Sequence, residues 1–372
     1  MKISVLIPVF NEANHIPTLL RSLAPAMRGV KDLEILFIDN GSTDGSLELL
    51  EASKLGGARV LREPRRGFAA PLNRGTAAAA GELLLFLDAD AQPAPGWAAR
   101  MEKALRHADV AVGATFSLPP KKITPYGRVA AKIFEKHSER TAHAQGHALP
   151  WGPTCNLGMR RSMLEKTGPF SPEAASAFDI DWCWRAVLKG ARLVYAPAAT
   201  VKHARRNERQ ALLEQFERYG LGEAWLHRTY SFLLTPEDQE PNALLAGVNA
   251  FLRLRHQGAA AKVKSLAPIL DEVATAFAGG VRIGFDRAHH QCSLPRAITT
   301  NYVAWESGFK STTIFVPGKG LAELGGQQRK LFLAMQNGAS EHELVHLFMK
   351  LFKATHKEAE HEVAAFRLSL TP

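Results

Sequence analysis

The chain predicts an α/β fold on a mostly parallel sheet with helices on both faces, and three observations carry that reading. Between residues 1 and 115, short apolar runs alternate with amphipathic stretches, the order that crossover helices between parallel strands require. Leu83-Leu84-Leu85-Phe86-Leu87 is apolar without a break, as expected of a strand covered on both faces. That run ends in Asp88-Ala89-Asp90, and carboxylates are rare where burial begins. The C-terminal edge of an open α/β sheet is where such folds hold ligands, so the two acids either cap the next helix or hold something positive.

Taken in order, strands are predicted at 2–7, 33–38, 58–62, 82–87 and 109–115, with helices at 14–24, 44–52, 68–80 and 96–107. No Gly-x-Gly-x-x-Gly follows the first strand, which argues against a dinucleotide-binding oxidoreductase. The segment 116–150 shows no clean period and is basic and histidine-rich, so it reads as an irregular loop able to cover a site. A helix at 180–189, a short strand at 192–195 and a helix from 206 to 232 follow.

The polar, proline-bounded stretch 235–241 reads as a linker between a first domain, 1–234, and a mainly helical second one, 242–372. In the second, helices are predicted at 242–256, 260–278, 325–336, 340–353 and 356–368, with a hairpin of 300–306 and 309–316 about Ser307-Gly308.

A chain of 372 residues has room for about two domains. Its hydrophobic share of 46% and charged share of 22% are those of a globular protein. Met1-Lys2-Ile3-Ser4-Val5-Leu6-Ile7-Pro8 reads as a strand rather than a signal peptide, and no apolar run approaches membrane-spanning length. Cys155, Cys183 and Cys292 are scattered, without metal-ligand spacing, and read as free thiols in a reducing compartment. A cytoplasmic location is expected. The net charge of +10 favours anionic partners, namely nucleotide phosphates or the inner membrane face, where peripheral contact is left open. The basic clusters are short and lack a nucleic-acid-binding signature, so no nucleic acid partner is expected.

Polar residues recur at the strand ends. Asn11 and Glu12 follow the first, Asp39-Asn40-Gly41-Ser42 the second, Arg66-Gly67 the third and Asp88-Ala89-Asp90 the fourth. Each alone is an ordinary turn or cap; together they line one edge with donors and acceptors. Ile7-Pro8-Val9-Phe10-Asn11-Glu12, Ile38-Asp39-Asn40-Gly41-Ser42-Thr43-Asp44-Gly45, Gly67 through Asn73-Arg74-Gly75, and Phe86-Leu87-Asp88-Ala89-Asp90 resemble, in order and spacing, the motifs of the family 2 glycosyltransferases. The resemblance covers residues 1–205 and implies the GT-A fold, a Rossmann-like mixed sheet, and an inverting transfer from a nucleoside-diphosphate sugar.

By that resemblance Pro8, Phe10, Glu12, Asp39, Arg66, Gly67, Asn73 and Asp88 bind the nucleotide-sugar. Asp90 and His203 ligate Mn²⁺ or Mg²⁺ on the diphosphate, and the acceptor is a saccharide, a lipid-linked molecule or a peptide. Leu72 stands where the family usually has Arg, with Arg66 or Arg74 as the substitute. An inverting transfer needs a base for the acceptor hydroxyl. Asp179 aligns with it, Asp181 is the second choice, and Phe178 replaces the family's Glu. Trp151, Gly152, Asn156, Trp182 and Arg185 fall on the acceptor side, the tryptophans as a sugar-stacking wall or simply as core. The alternative is a nucleotide-sugar-binding or scaffolding protein that kept the fold and lost the chemistry.

His342-Glu343-Leu344-Val345-His346 spells a zinc-protease motif. At about 100° per residue, however, both histidines fall away from the Leu344, Leu347, Phe348 and Leu351 stripe, and Ser340 with Glu343 makes a capping box. No catalytic zinc is expected there. The order of elements in the second domain faintly resembles PqqD-like peptide-recognition domains, with plain helical packing or dimerisation the plainer reading.

Overall fold

The computed structural model describes residues 2–53, 55–144, 149–230, 266–286, 303–306, 311–316, 320–325, 341–352 and 355–369. The chain forms two compact units, one of residues 1–186 and 191–296, the other of 187–190 and 297–372.

The first unit is built on an eight-stranded sheet in the order β3-β2-β1-β4-β7-β6-β8-β5. Its strands are β1 (Ile3–Val9), β2 (Leu33–Asp39), β3 (Ala58–Arg62), β4 (Leu83–Leu87), β5 (Ala91–Pro93), β6 (Val110–Leu118), β7 (Asn156–Arg160) and β8 (Leu193–Ala204). β3, β2, β1 and β4 run parallel, β7 lies antiparallel to β4 and β6, and β8 runs parallel to β6. The uninterrupted apolar run becomes β4, with all five residues buried between β1 and β7. Helices α1 (Ile16–Ala26), α2 (Ser46–Glu51), α3 (Ala69–Ala78) and α4 (Trp97–Leu105) connect the strands. One apolar core joins Val5 and Ile7 of β1, Leu19 and Leu23 of α1, Phe37 of β2, Leu85 of β4 and Met101 of α4. The predicted α/β class is observed, and so is the strand and helix order of residues 1–115 except for the short β5, which the sequence reading did not place.

Residues 116–150 differ from expectation. β6 continues to Leu118, and two helices follow, α5 (Pro125–Ile133) and α6 (His137–Ala142). Thr124 caps α5 by accepting from the Gly127 amide, with Pro125 in the first turn. α5 is amphipathic, with Val129, Ala130 and Ile133 on its buried face, a pattern the sequence reading missed; with Phe134 that face packs against α9 (Arg209–Thr229) and α10 (Ala267–Asp286).

The stretch 235–241, expected as linker, lies outside the described residues, as does the helix expected at 242–256. α10 packs on α9 within the first unit. The two approach so closely that a Cβ on Gly220 would lie 2.1 Å from the Phe277 carbonyl oxygen. Between β7 and β8 stand α7 (Arg161–Thr167), a 3₁₀ turn (Pro172–Ala177) and α8 (Phe178–Leu188).

In the second unit β9 (Val303–Glu306), β10 (Ser311–Val316) and β11 (Gly320–Gly325) form an antiparallel sheet, followed by α11 (Glu341–Phe352) and α12 (His356–Ser369). The β9–β10 hairpin was expected, but β11 was not, because Leu, Ala and Glu favour helix and only pairing with β10 makes them a strand. On α11 Leu344 and Val345 are buried and His346 is exposed; the His342 side chain lies outside the described residues. Among the described residues no helix is long and apolar enough to cross a membrane.

Candidate active site

A cleft of about 890 Å³ opens at the C-terminal ends of β1, β2 and β4. Pro8, Phe10, Glu12, Arg66, Gly67, Asp88, Asp90, Trp151, Asp179 and His203 line it, so ten residues expected at a site meet in one cavity.

The first two motifs are stitched together by their own polar side chains. Asn11, at φ 56°, accepts from the Thr43 amide through Oδ1 at 2.8 Å. The amides of Asn11, Glu12 and Ala13 donate to Ser42 Oγ, Ser46 Oγ and Asp44 Oδ2 at 3.0, 2.8 and 2.9 Å. Asp39 accepts the Gly41 and Ser42 amides, which forms the turn after β2. Expected as a nucleotide contact, it is 3% exposed and is not part of the cleft lining. Asn40 lines the cleft instead. Its carbonyl accepts from Arg66 Nη1 at 2.9 Å, and the Arg66 guanidinium sits 4.2 Å above the Phe10 ring.

His203 is brought to the acids by strand pairing. The three residues of β5 lie antiparallel to β8, setting Ala91 opposite His203, and the Ala204 amide donates to the Asp90 carbonyl at 3.1 Å. His203 Nε2 consequently lies 3.1 Å from both Asp88 Oδ2 and Asp90 Oδ1. Burial works against a charged imidazole, but Asp90 and Asp88 outweigh it and raise His203 to about 9. Burial likewise works to raise Asp90, yet His203 and Arg206 hold it down to about 2. Arg205 Nη1 contacts the other ring nitrogen, Nδ1, at 3.0 Å. A guanidinium only donates, so this contact opposes a second proton on Nδ1, while the two carboxylates favour it. Burial and the Asp90 and Asp88 charges push Glu12 up to about 8, against the pull of Arg206 and His203.

Two carboxylates and an imidazole at one point are a donor set that suits Mn²⁺, and Mg²⁺ through the carboxylates. Among the described residues Asp88, Cys155 and His203 also offer ligand atoms within 4.8 Å of one another. Burial pushes the Cys155 thiol well up, so it stays protonated and is a poor partner for a hard cation.

Asp179 enters the cleft from the first turn of α8. Burial pushes its carboxyl up to about 7, against the amides of Ile180 and Thr154 and with the Asp88 charge adding to the rise. Phe178, in the place of the family's Glu, stacks on Phe68 with ring centroids 5.8 Å apart and planes 9° from parallel. Phe68, half exposed in the cleft, escaped the sequence reading because an aromatic after Gly67 carries no pattern of its own. Arg205 and Arg206 were read only as bulk charge.

Six expected site residues lie in the framework instead, four of them fastening one loop. Asn73 clamps the Phe170 backbone through both ends of its amide, at 2.8 and 2.9 Å. Trp182, fully buried, donates to the Gly168 carbonyl, so it is core and not a sugar-stacking wall. Arg185 donates to the Thr167 and Pro169 carbonyls and to Asp181. Asp181, 2% exposed, accepts from Ser171 Oγ, Arg185 and the Tyr230 hydroxyl at 2.6–3.0 Å. With both oxygens engaged and the carboxylate paired with Arg185, it is unsuited to be a base. These four fasten residues 167–171, the loop that delivers Asp179. Asn156 is fully buried, accepting from Trp97 Nε1 and donating to the Ala114 and Ala199 carbonyls at the irregularity between β6 and β8. Gly152 is buried under Val112 and Leu157, where a Cβ would come within 2.4 Å of Val112.

Residues 4–168 match the model of glycosyl transferase family 2. The chain is 29% identical over 225 residues to glycosyltransferase AglE of Haloferax volcanii, covering 59% of this chain and 72% of AglE. It is 30% identical over 229 residues to the pre-mycofactocin glycosyltransferase of Mycobacterium tuberculosis, but spans only 46% of that protein's length. The fold is similar, at a TM-score of 0.52 and 19% identity, to the mannosyltransferase PcManGT of Pyrobaculum calidifontis, solved with GDP-Man and Mn²⁺; 77% of this chain and 88% of that one are covered. With four motifs in family order lining one cleft, residues 4–168 of this chain match glycosyl transferase family 2, on a fold of the GT-A type similar to that of the solved mannosyltransferase.

Proposed function

We propose that the chain transfers a sugar from a nucleoside-diphosphate sugar to an acceptor hydroxyl with inversion, Asp179 serving as the general base. The observation that carries this is the presence of Asp179 in the same cleft as Asp88 and Asp90, buried and raised to about 7. A carboxyl there can take a proton near neutral pH, as direct attack at the anomeric carbon requires.

Phe10 and Arg66 offer a stacking and cationic surface to the nucleoside end, and Glu12 and Asp88 offer acceptors to its hydroxyls. Asp90 and His203, with Asp88 beside them, would hold Mn²⁺ or Mg²⁺, which neutralises charge on the departing nucleoside diphosphate. Arg206, close enough to lower both Asp90 and Glu12, adds a fixed positive charge at that end. Asp88, Asp90, Asp179 and His203 all line the cleft, which favours an active enzyme over a scaffold despite Leu72 and Phe178.

The test is Asp179→Asn, with transfer and nucleotide affinity measured separately. Transfer is expected to fall by about two to four orders of magnitude, while nucleoside diphosphate affinity by calorimetry stays within about twofold. Near-normal turnover in the variant would remove Asp179 from the role.

A further inference from the structure

Among the described residues the exposed large hydrophobic side chains are Phe10, Leu49, Phe68, Phe116 and Ile123. Phe10 and Phe68 line the cleft, and Leu49 stands alone on α2. Phe116 and Ile123, 57% and 38% exposed, fall together in the stretch 116–123 that leads from β6 towards α5. Pro119, Pro120, Lys121 and Lys122, between them, are exposed as well. Single apolar residues on a surface are ordinary, but a pair set among lysines on one short stretch is a patch.

The stretch is fastened along its length to residues 202–207. β6 and β8 pair in parallel, with Phe116 opposite Lys202 and Leu118 opposite Ala204. Beyond the ladder, the Asn207 side chain donates to the Lys122 carbonyl at 3.1 Å and accepts from the Thr124 amide at 3.0 Å. Pro119 and Pro120 stiffen the turn between these two attachments. Thr115 lines the cleft, so Phe116 projects from the opposite face of the ladder, with Lys202 beside it.

The charge around the two apolar side chains has one sign. No Asp or Glu occurs in 116–134 or in 200–207, while Lys121, Lys122, Arg128, Lys202 and Arg206 are exposed there. Glu208, the next acid along the chain, accepts from the Asn207 amide. Lys121, Lys122, Arg128 and Lys202 pair with no acid among the described residues, whereas Lys132 and Arg209 pair with Glu135 and Glu272.

We propose that this surface docks the chain onto an anionic lipid bilayer, Phe116 and Ile123 entering the interface while Lys121, Lys122, Arg128 and Lys202 meet the lipid phosphates. Charge complementarity selects the occupant. A second copy of the chain would bring the same cations against these. A nucleic acid would satisfy the lysines but leaves Ile123 nothing to stack on. Phenylalanine and isoleucine both gain by leaving water for acyl chains, and cations beside them gain from anionic headgroups. Docking does not depend on the transferase reading, but it gives the cleft a location. The ladder that carries Phe116 and Lys202 also carries Thr115 and His203 of the cleft, which docking holds beside the membrane.

The experiment is sedimentation of the full chain with vesicles of phosphatidylcholine, either alone or with about one third phosphatidylglycerol, in about 0.1 M salt. The wild-type chain should bind the anionic vesicles at least about tenfold more tightly than the neutral ones, and about 1 M salt should weaken that binding. Lys121→Gln with Lys122→Gln should lose at least about fivefold, as two cations at a lipid surface allow. Phe116→Ser with Ile123→Ser should lose at least about fivefold with the net charge unchanged. Lys31→Gln with Lys103→Gln removes the same charge from exposed positions that lead into the starts of β2 and β6, and should stay within about twofold. Retained nucleoside diphosphate affinity shows that each variant is folded. Equal binding to both vesicles would overturn the proposal, as would an equal loss in the Lys31 and Lys103 pair, which signals bulk charge alone. Undiminished binding after Phe116→Ser with Ile123→Ser would do the same, pointing to a purely ionic partner such as a nucleic acid. A wild-type dimer in light scattering that the same two serine substitutions dissolve would make a second copy the occupant instead. Vesicle binding is read without turnover, so its failure leaves the transferase reading standing.

Discussion

His203 places one ring nitrogen 3.1 Å from Asp90 Oδ1 and the same distance from Asp88 Oδ2, so a single imidazole spans both acids of the strand-end motif. A divalent cation there would depend on all three side chains. His203→Ala should shift the Mn²⁺ dependence of nucleoside diphosphate release to at least tenfold higher concentration, the scale on which ligand-orienting groups act. Chelation should stop release altogether. An unchanged Mn²⁺ curve in the variant would take His203 out of the site.

The rise of Asp179 to about 7 gives transfer a pH signature. The base works deprotonated, so the rate should climb from pH 5 and level off above about 7, and initial rates against pH at saturating donor check this. Stability runs the other way. A carboxyl raised above its ordinary value of 3.8 favours the folded state most at low pH, and that contribution is lost as pH rises through about 7. Asp179→Asn should therefore melt higher than wild type at pH 8, by on the order of 1–3 kcal/mol, while losing transfer.

Asp181→Asn should behave oppositely. It removes the negative charge paired with Arg185 and one of the two oxygens that accept from Arg185, Ser171 and Tyr230, and should cost about 3–5 kcal/mol, typical of breaking a buried ion pair. The folded fraction should keep its transfer rate to within about threefold once corrected for active protein. Thermal melts and active-site titration by tight nucleotide binding separate the two effects. Loss of transfer without loss of stability would reverse the roles given to the two aspartates.

Gly222 tests how the base is braced. A Cβ there would lie 2.8 Å from Ser176 Oγ and 3.0 Å from the Ala177 amide, on the turn that leads into Asp179. Gly222→Ala should destabilise by about 1–3 kcal/mol and lower kcat more than it changes donor KM. A melt and a donor titration suffice to see it.

Arg66 lies over Phe10 at the nucleoside end. Arg66→Ala should weaken nucleoside diphosphate binding by roughly threefold to thirtyfold, about the worth of one cation–π and charge contact. Arg66→Lys should rescue it poorly, because an ammonium lacks the planar stacking face. Full rescue by lysine would show that charge alone matters there.

The strand-end residues were legible because their signals are local. A buried run must end somewhere, and the polar residues that end Leu83–Leu87 and Ile3–Val9 sit where the cleft opens. Legibility failed where a residue's role depends on what lies across the fold. Asn73, Trp182 and Arg185 have the chemistry of ligand contacts, yet backbone carbonyls and amides of 167–171 reach them first. Asn156 is spent on the Ala114 and Ala199 carbonyls, freed where β6 and β8 slip out of register. In residues 116–150, α5 docks on α9 and α10, a partner no local window contains.

The pairing of β5 with β8 also has a kinetic consequence. Asp88 and His203 are 115 positions apart, and three residues of strand hold the two ends of that span in register. Closing so long a loop is slow and entropically costly until β6, β7 and β8 have docked. A chain emerging from the ribosome with the whole strand-end motif exposed would therefore hold only half of the proposed cation site, and any ability to bind Mn²⁺ there should arise in one late step as β8 joins the sheet.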